Sequence, residues 1–242
     1  MPLTIERLPI LSDNYAWLLR DEASGMLAVV DPADARAVIA AVDARGHKLD
    51  LILLTHHHDD HVAGTEQVRQ RYHCPVVGGE ADRHRLPELD RGVSEGDVVT
   101  LGESRAVVID TPGHTVGHLA FHFADSAVLL AGDTLFSLGC GRVLEGTMDQ
   151  MYASLRKLAA LPPDTVVLCG HEYTQSNARF ALHVDPDNAA LRRRAAEVDR
   201  QRAAGEATVP TLLGAELTEN PFLRAADAGS FAALRRKKDT FR

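Results

Sequence analysis

Four side chains of metal-binding type fall within six positions: His56, His58, Asp60 and His61, in the segment Thr-His-His-His-Asp-Asp-His at 55–61. Packing does not call for such a density, and imidazole together with carboxylate suits zinc, manganese and iron. The spacing also restricts the backbone. On a helix, residues two apart point about 200° away from each other, so His56 and His58 cannot share a helical face. They converge only from a loop or a strand end. Before them, Leu-Asp-Leu-Ile-Leu-Leu at 49–54 is a short apolar run that fits a buried strand. After them, 62–72 lacks proline and fits a helix, with Gly64 as a blemish. The ligands therefore belong on a strand-to-helix turn outside the carboxyl end of a strand, where α/β sheets place their ligands.

The same pattern recurs three times. Arg-Ala-Val-Val-Ile-Asp-Thr-Pro-Gly from 105 delivers His114, Ala-Val-Leu-Leu-Ala-Gly from 127 delivers Asp133, and Thr-Val-Val-Leu-Cys-Gly from 165 delivers His171. In each, a Gly ends a short β-like run just before the ligand-type residue. Four strands ending at one edge of a sheet would gather His56, His58, Asp60, His61, His114, Asp133 and His171. That set is too large for one tetrahedral metal with an open position. It suffices for two metals with three terminal ligands each and one shared carboxylate. Asp133 is the natural bridge, because a carboxylate offers two oxygens and imidazole one free nitrogen at a time. His57 and Asp59 are out of phase and are expected to support the ligands or face solvent. His118 is expected to support them by hydrogen bonding. His47, His73, His84, His122 and His183 are read as structural or surface residues.

Ordinary globular composition goes with this pattern: 242 residues, 45% apolar and 25% charged, with room for one large domain or one plus a small second one. The net charge of −8 argues against nucleic acid as a partner. No apolar run approaches the roughly 18 residues of a membrane span. Pro9 and Asp13 interrupt the only apolar patch near the amino terminus, so no signal peptide is expected. Three scattered cysteines suit a reducing compartment without disulfides, and a cytoplasmic monomer is expected.

Organisation changes near residue 173. Before it, β-like runs at 15–19, 26–30, 51–54, 76–78, 98–101, 106–109, 119–123, 127–131 and 165–169 alternate with helical stretches at about 33–45, 62–72 and 149–160. Thr147 is the expected cap of the last, with Pro162 just beyond it. After 173 strand signals vanish, and 174–183, 187–204 and 228–238 read as helices. The expectation is an α/β metal domain over 1–173 and a helical unit over 174–242.

The motifs Thr-His-His-His-Asp-Asp-His at 55–61, Thr-Pro-Gly-His at 111–114, Ala-Gly-Asp-Thr-Leu-Phe at 131–136 and Cys-Gly-His-Glu-Tyr-Thr at 169–174 resemble the metallo-β-lactamase superfamily. Gly139 to Thr147, Asn-Pro-Phe-Leu-Arg at 220–224, Arg-Arg-Lys-Lys-Asp at 235–239 and the opening Ile10 to Tyr15 resemble, more closely, glyoxalase II, the hydroxyacylglutathione hydrolases. The resemblance implies a four-layer αββα sandwich whose carboxy-terminal helical domain closes over the substrate. It implies that His56, His58 and His114 hold one divalent metal, that Asp60, His61 and His171 hold a second, and that Asp133 bridges. Zinc is expected, with iron and manganese as alternatives. Arg142, Tyr173, Arg235 and Lys238 would hold the glutathione chain. One departure is Leu144, where some family members carry tyrosine. The implied reaction is attack by metal-bound hydroxide on S-(2-hydroxyacyl)glutathione, such as S-D-lactoylglutathione, with Asp60 and Asp133 at the reacting end, as the second step of methylglyoxal detoxification. Rival readings are a lactonase or β-lactamase of the same superfamily, a mononuclear-iron persulfide dioxygenase and a non-enzymatic metal-stabilised module.

Overall fold

Two six-stranded sheets stack face to face in the protein, here a computed structural model that describes residues 3–46 and 48–241. His47 lies outside the described residues. The first sheet runs β1 (Leu3–Ile10), β2 (Asn14–Asp21), β3 (Leu27–Val30), β4 (Leu51–Leu53), β5 (Val76–Gly79) and β6 (Arg91–Val93), in that spatial order. Its β1–β3 part is antiparallel and its β3–β6 part parallel. The second sheet contains β7 (Val98–Leu101), β8 (Ser104–Asp110), β9 (Leu119–Phe123), β10 (Val128–Gly132), β13 (Val166–Cys169) and β14 (Thr211–Leu212). A small hairpin, β11 (Leu135–Phe136) with β12 (Gly139–Cys140), stands apart.

Alternation along the strands explains the layers. In β2, Tyr15, Trp17 and Leu19 face the core between the sheets, while Ala16 and Leu18 face outward. In β4, Leu51 and Leu53 point inward and Ile52 outward. Both faces are covered, so these strands read as continuous apolar runs. The outward face of the first sheet packs against α1 (Ala35–Ala44), α2 (Asp59–Val62) and α3 (Thr65–Tyr72) through Val38, Val42, Val62, Val68 and Tyr72. On the far side, Ala120, Leu129, Ala131 and Val167 of the second sheet meet Met151, Leu155 and Leu158 of α4 (Met148–Ala159). The result is the four-layer αββα sandwich expected. Thr147 caps α4 in a full capping box with Gln150.

Residues after 173 form α5 (Thr174–Val184), α6 (Ala189–Ala203), α7 (Leu213–Glu219) and α8 (Ala228–Thr240). Phe180, Leu213, Phe222, Leu223 and Phe231 from this region join the same apolar cluster as α4 and the second sheet. Several details differ from the expectation. β1, β6 and α7 fall where no element was expected. A two-residue strand, β14, returns after 173 to pair with β13. The helix expected over 62–72 is broken at Gly64, which begins α3. A Cβ there would collide with the Pro32 carbonyl oxygen and lie 2.6 Å from the Ala35 amide nitrogen. Gly64 is thus required by a close backbone approach rather than tolerated inside a helix. No helix among the described residues is long and apolar enough to cross a membrane.

Candidate metal centre

The strand ends that precede the candidate ligands belong to both sheets rather than to one. His56 to His61 follow β4 of the first sheet, whereas His114, Asp133 and His171 follow β8, β10 and β13 of the second. The sheets are drawn together at this edge by Tyr15 N donating to Gly170 O (2.8 Å) and Glu172 N donating to Asp13 O (2.8 Å). His58 stands at the start of α2, and Asp60 and His61 lie in its single turn, so the block is extended for its first half and helical for its second.

All seven candidates come together. His58 Nδ1 lies 3.1 Å from His56 Nε2 and 3.0 Å from His114 Nε2. Beside this trio, His171 Nε2 lies 3.3 Å from His61 Nε2 and 3.4 Å from Asp60 Oδ2. Within each trio the ligand atoms are no more than 4.8 Å apart. Asp133 stands between the two: Oδ2 is 3.6 Å from His114 Nε2 and 3.3 Å from His171 Nε2, and Oδ1 is 3.4 Å from His61 Nε2. Asp133 Oδ1 is buried and makes no hydrogen bond among the described residues. A buried carboxylate oxygen with that many imidazole lone pairs around it is what a cation satisfies. The donor set, its burial and its spacing fit divalent metal ions.

A surrounding set of acceptors fixes the rings. His61 Nδ1 faces Asp31 Oδ2 at 2.9 Å, and His171 Nδ1 faces Asp13 Oδ1 at 3.0 Å. His56 Nδ1 faces Thr55 Oγ1 at 3.0 Å, and that hydroxyl donates to Asp31 Oδ2 at 2.7 Å. His114 Nδ1 faces the Arg142 carbonyl at 2.9 Å. An acceptor at Nδ1 places the proton there and turns the Nε2 lone pair inward. Asn14 Nδ2 donates to Asp60 Oδ2 (3.0 Å) and to its backbone carbonyl (3.1 Å). His118 takes the supporting role expected of it: its Nε2 accepts the Asp133 amide at 3.0 Å. His57 turns away from the centre, between Asp82 Oδ2 (3.2 Å) and Glu145 Oε1 (3.3 Å), and Asp59 is exposed.

Burial holds His56 well below the usual imidazole range and lowers His58 as well, so both keep a lone pair for a metal. Burial also acts on His61 and His171, but Asp133 outweighs it and raises both. Burial works against the Asp133 carboxylate, yet His61 and His171 keep it well below the usual range.

Asp31 and Asn14 had no role in the sequence reading. Asp31 carried a weaker signal: it follows Leu27-Ala-Val-Val at the carboxyl end of β3 and precedes Pro32, without the glycine that precedes His114, Asp133 and His171. Its buried carboxylate serves His61 directly and His56 through Thr55.

A cleft of about 360 Å³ opens onto the centre. His114 and Asp133 line it together with Arg142, Tyr173, Arg235, Lys238 and Asp239. Tyr173 stacks on His171, with centroids 4.5 Å apart and planes 7° from parallel. The Arg142 side chain is mostly exposed. Arg235 is not: it is 3% exposed, and Nη1 donates to the Cys140 carbonyl at 2.8 Å. Lys238 Nζ donates to the Ser176 carbonyl at 3.0 Å and to its hydroxyl at 3.1 Å. Burial, then Arg235 and Arg142, push the Lys238 ammonium down to about 8. Leu144 is exposed and does not line the cleft.

The family described as "Metallo-beta-lactamase superfamily" matches residues 11–171, and "Hydroxyacylglutathione hydrolase C-terminus" matches 172–241. A hydroxyacylglutathione hydrolase of Acidiphilium cryptum (strain JF-5) is 58% identical over 238 residues, covering 98% of this chain and 97% of that relative. Among solved structures, ETHE1 from Myxococcus xanthus is similar with a TM-score of 0.74 at 24% identity, over 99% of this chain and 92% of that one, a likeness of fold. TTHA1623 in a di-iron-bound form is similar with a TM-score of 0.64 at 26% identity, over 91% of this chain and all of that one (100%).

Proposed function

The chain belongs to the hydroxyacylglutathione hydrolases, or glyoxalase II, within the metallo-β-lactamase superfamily, and on that premise we propose that it hydrolyses S-(2-hydroxyacyl)glutathione thioesters such as S-D-lactoylglutathione to a 2-hydroxy acid and glutathione. The observation that carries the reading is one cleft lined both by His114 and Asp133 of the metal centre and by the cations Arg142, Arg235 and Lys238. A thioester needs electrophilic activation and a strong nucleophile at one end. The tripeptide's carboxylates need cations at the other.

His56, His58 and His114 would hold one ion, and Asp60, His61 and His171 a second, with Asp133 between; zinc leads, with iron and manganese as alternatives. When bound, such ions supply an acidified water as nucleophile and Lewis-acid stabilisation of the carbonyl oxygen. The chain's own residues do the rest. Asp31, Thr55 and Asp13 keep the Nδ1 protons of His61, His56 and His171 facing outward. Asn14 holds one face of the Asp60 carboxylate, so that Asp60 and Asp133 orient the attacking oxygen. Tyr173, flat against His171, walls the reacting end. Arg142, Arg235 and Lys238 attract the glutathione carboxylates. The leaving sulfur departs as a thiolate, which near neutral pH asks little of a general acid.

In this reading residues 1–173 carry the metal chemistry, and 174–242 form the helical substrate-binding unit that adds Arg235, Lys238 and Asp239 to a cleft also lined by Arg142 and Tyr173. The protein acts as a cytoplasmic monomer on a small molecule and binds neither nucleic acid nor membrane. A one-iron dioxygenase would leave about half of the converging ligands without a task. The test is metal analysis combined with turnover of S-D-lactoylglutathione. About two ions per chain and release of free thiol without oxygen uptake are expected. Full activity at one ion per chain would overturn the dinuclear reading.

A further inference from the structure

The charges along the cleft are not all positive. Asp239, in the last turn of α8, lines it beside Arg142, Arg235 and Lys238. Its Oδ1 accepts from Arg235 Nε at 2.9 Å and lies 2.8 Å from Arg235 Nη2, and Arg142 Nε stands 4.0 Å from the same oxygen. Oδ2 has no bond among the described residues, and the side chain is 35% exposed. Arg235 is gripped from the other side as well, by the Cys140 carbonyl and by the Phe222 ring, 5.1 Å beneath the guanidinium. Most of its fork is committed, which leaves Arg142 and Lys238 as the cations with room for a carboxylate.

Positioning Arg235 takes only Oδ1; a second, exposed carboxylate oxygen in the wall works against a site meant only for carboxylates, since like charges at such range repel. The thioester of glutathione, however, is not only anionic. It carries two carboxylates and one ammonium. Away from Asp133, and with Arg235 held by Asp239 Oδ1, the cleft offers the inverse set: two cations with room, Arg142 and Lys238, and one free carboxylate oxygen, Asp239 Oδ2.

We propose that Asp239 is a specificity-determining residue: Oδ1 positions Arg235, and Oδ2 receives the α-ammonium of the substrate's γ-glutamyl end. This rests on the glutathione-thioester reading and narrows it to thioesters with a free amine. The groups facing Asp239 are Arg235, Arg142 and Lys238; Arg235 is offset by Oδ1 and the other two by the substrate's own carboxylates, so the ammonium meets its counter-charge at Oδ2 only as the whole glutathione chain is seated.

The experiment compares S-D-lactoylglutathione with the same thioester acetylated on its amine, for the wild-type protein and for Asp239→Asn. The amide retains an oxygen for Arg235 and removes the negative charge. Wild type should prefer the free amine by about tenfold in kcat/KM, the change that 1.4 kcal/mol makes. Asp239→Asn should lose about that factor on the free-amine substrate, through KM, and treat the two alike, with kcat and metal content unchanged. S-methylglutathione and its N-acetyl form give the same comparison as dissociation constants, independent of turnover. Equal loss on both substrates would overturn the ammonium seat and leave Asp239 as a positioning residue for Arg235 alone. Undiminished discrimination in Asp239→Asn would overturn the proposal entirely. Wild-type protein that turns over neither thioester would instead overturn the parent reading and this one with it.

Discussion

Replacing Asp31 with Asn tests whether the metal centre depends on a residue that touches neither metal nor substrate. Asp31 is 4% exposed and makes three bonds: Oδ1 accepts the Thr55 amide at 2.8 Å, and Oδ2 accepts the Thr55 hydroxyl at 2.7 Å and faces His61 Nδ1 at 2.9 Å. The amide of Asn keeps the first bond through its oxygen. Its NH2 group then points at two donors and satisfies neither. His61 loses a charge-assisted partner worth roughly 1.5–3 kcal/mol, and its ring is free to turn or to change tautomer. Removing such an outer partner commonly weakens metal binding by about 10–100-fold, or about 1.4–2.7 kcal/mol. His56 is reached only indirectly, through Thr55, so its trio should suffer by less than about threefold, or ~0.6 kcal/mol. The expected result is selective: competition with a graded series of chelators should show one ion released far more readily in Asp31→Asn and the other nearly as before. Equal weakening of both ions would refute the relay as drawn. Unchanged affinity for both would mean that His61 is oriented by its packing and not by Asp31.

Asp133→Ala should lower kcat by about a hundredfold or more and weaken metal retention, measured by turnover and elemental analysis, because it removes the one carboxylate shared by His61, His171 and His114. Burial, Arg235 and Arg142 lower Lys238 to about 8, so its ammonium is present below that pH and lost above it; kcat/KM for the glutathione thioester should fall between pH 7 and 9 after correction for spontaneous hydrolysis, and Lys238→Arg should remove the fall. Arg235→Ala leaves the Cys140 carbonyl and Asp239 without their partner, so unlike Lys238→Ala it should cost roughly 1–3 kcal/mol of stability as well as substrate affinity, seen as a lowered Tm. Gly64→Ala should cost ~1–3 kcal/mol in a denaturant titration, because the added methyl meets the Pro32 and Ala35 backbone.

The ligand block was legible because its spacing is itself a statement about backbone shape: His56 and His58 can meet only off a helix, and they do, just before α2 begins. Asp133 and His171 were legible because a glycine punctuates each strand before them. Asp31 follows its strand directly, with no such glycine, and a single acid after a strand is common. The destination of Arg235 was hidden for a different reason. The resemblance assigns Arg235 to the glutathione chain, and nothing local says that the side chain will be enclosed by Cys140 and Phe222, 95 residues before it and 13 before it. Gly64 looked like a defect because the contact that demands it, with Pro32 and Ala35, is tertiary. The division of the ligands between two sheets was likewise invisible, since a strand's sequence does not say which sheet it joins.

The shared apolar cluster of α4, α5, α8 and the second sheet bears on how such a chain can be inherited. The two family descriptions meet between residues 171 and 172, as though a helical segment had been appended to an older enzyme. Physically there is no joint at that place. Phe180, Phe222 and Phe231 lie against Met151, Leu155 and Val167 with almost no exposure, so a chain cut there would show water a broad apolar face. Exchange of the carboxy-terminal segment between relatives therefore has to carry its own hydrophobic lining, matched to the sheet that receives it. Recombination can trade the cleft's specificity only together with part of the core.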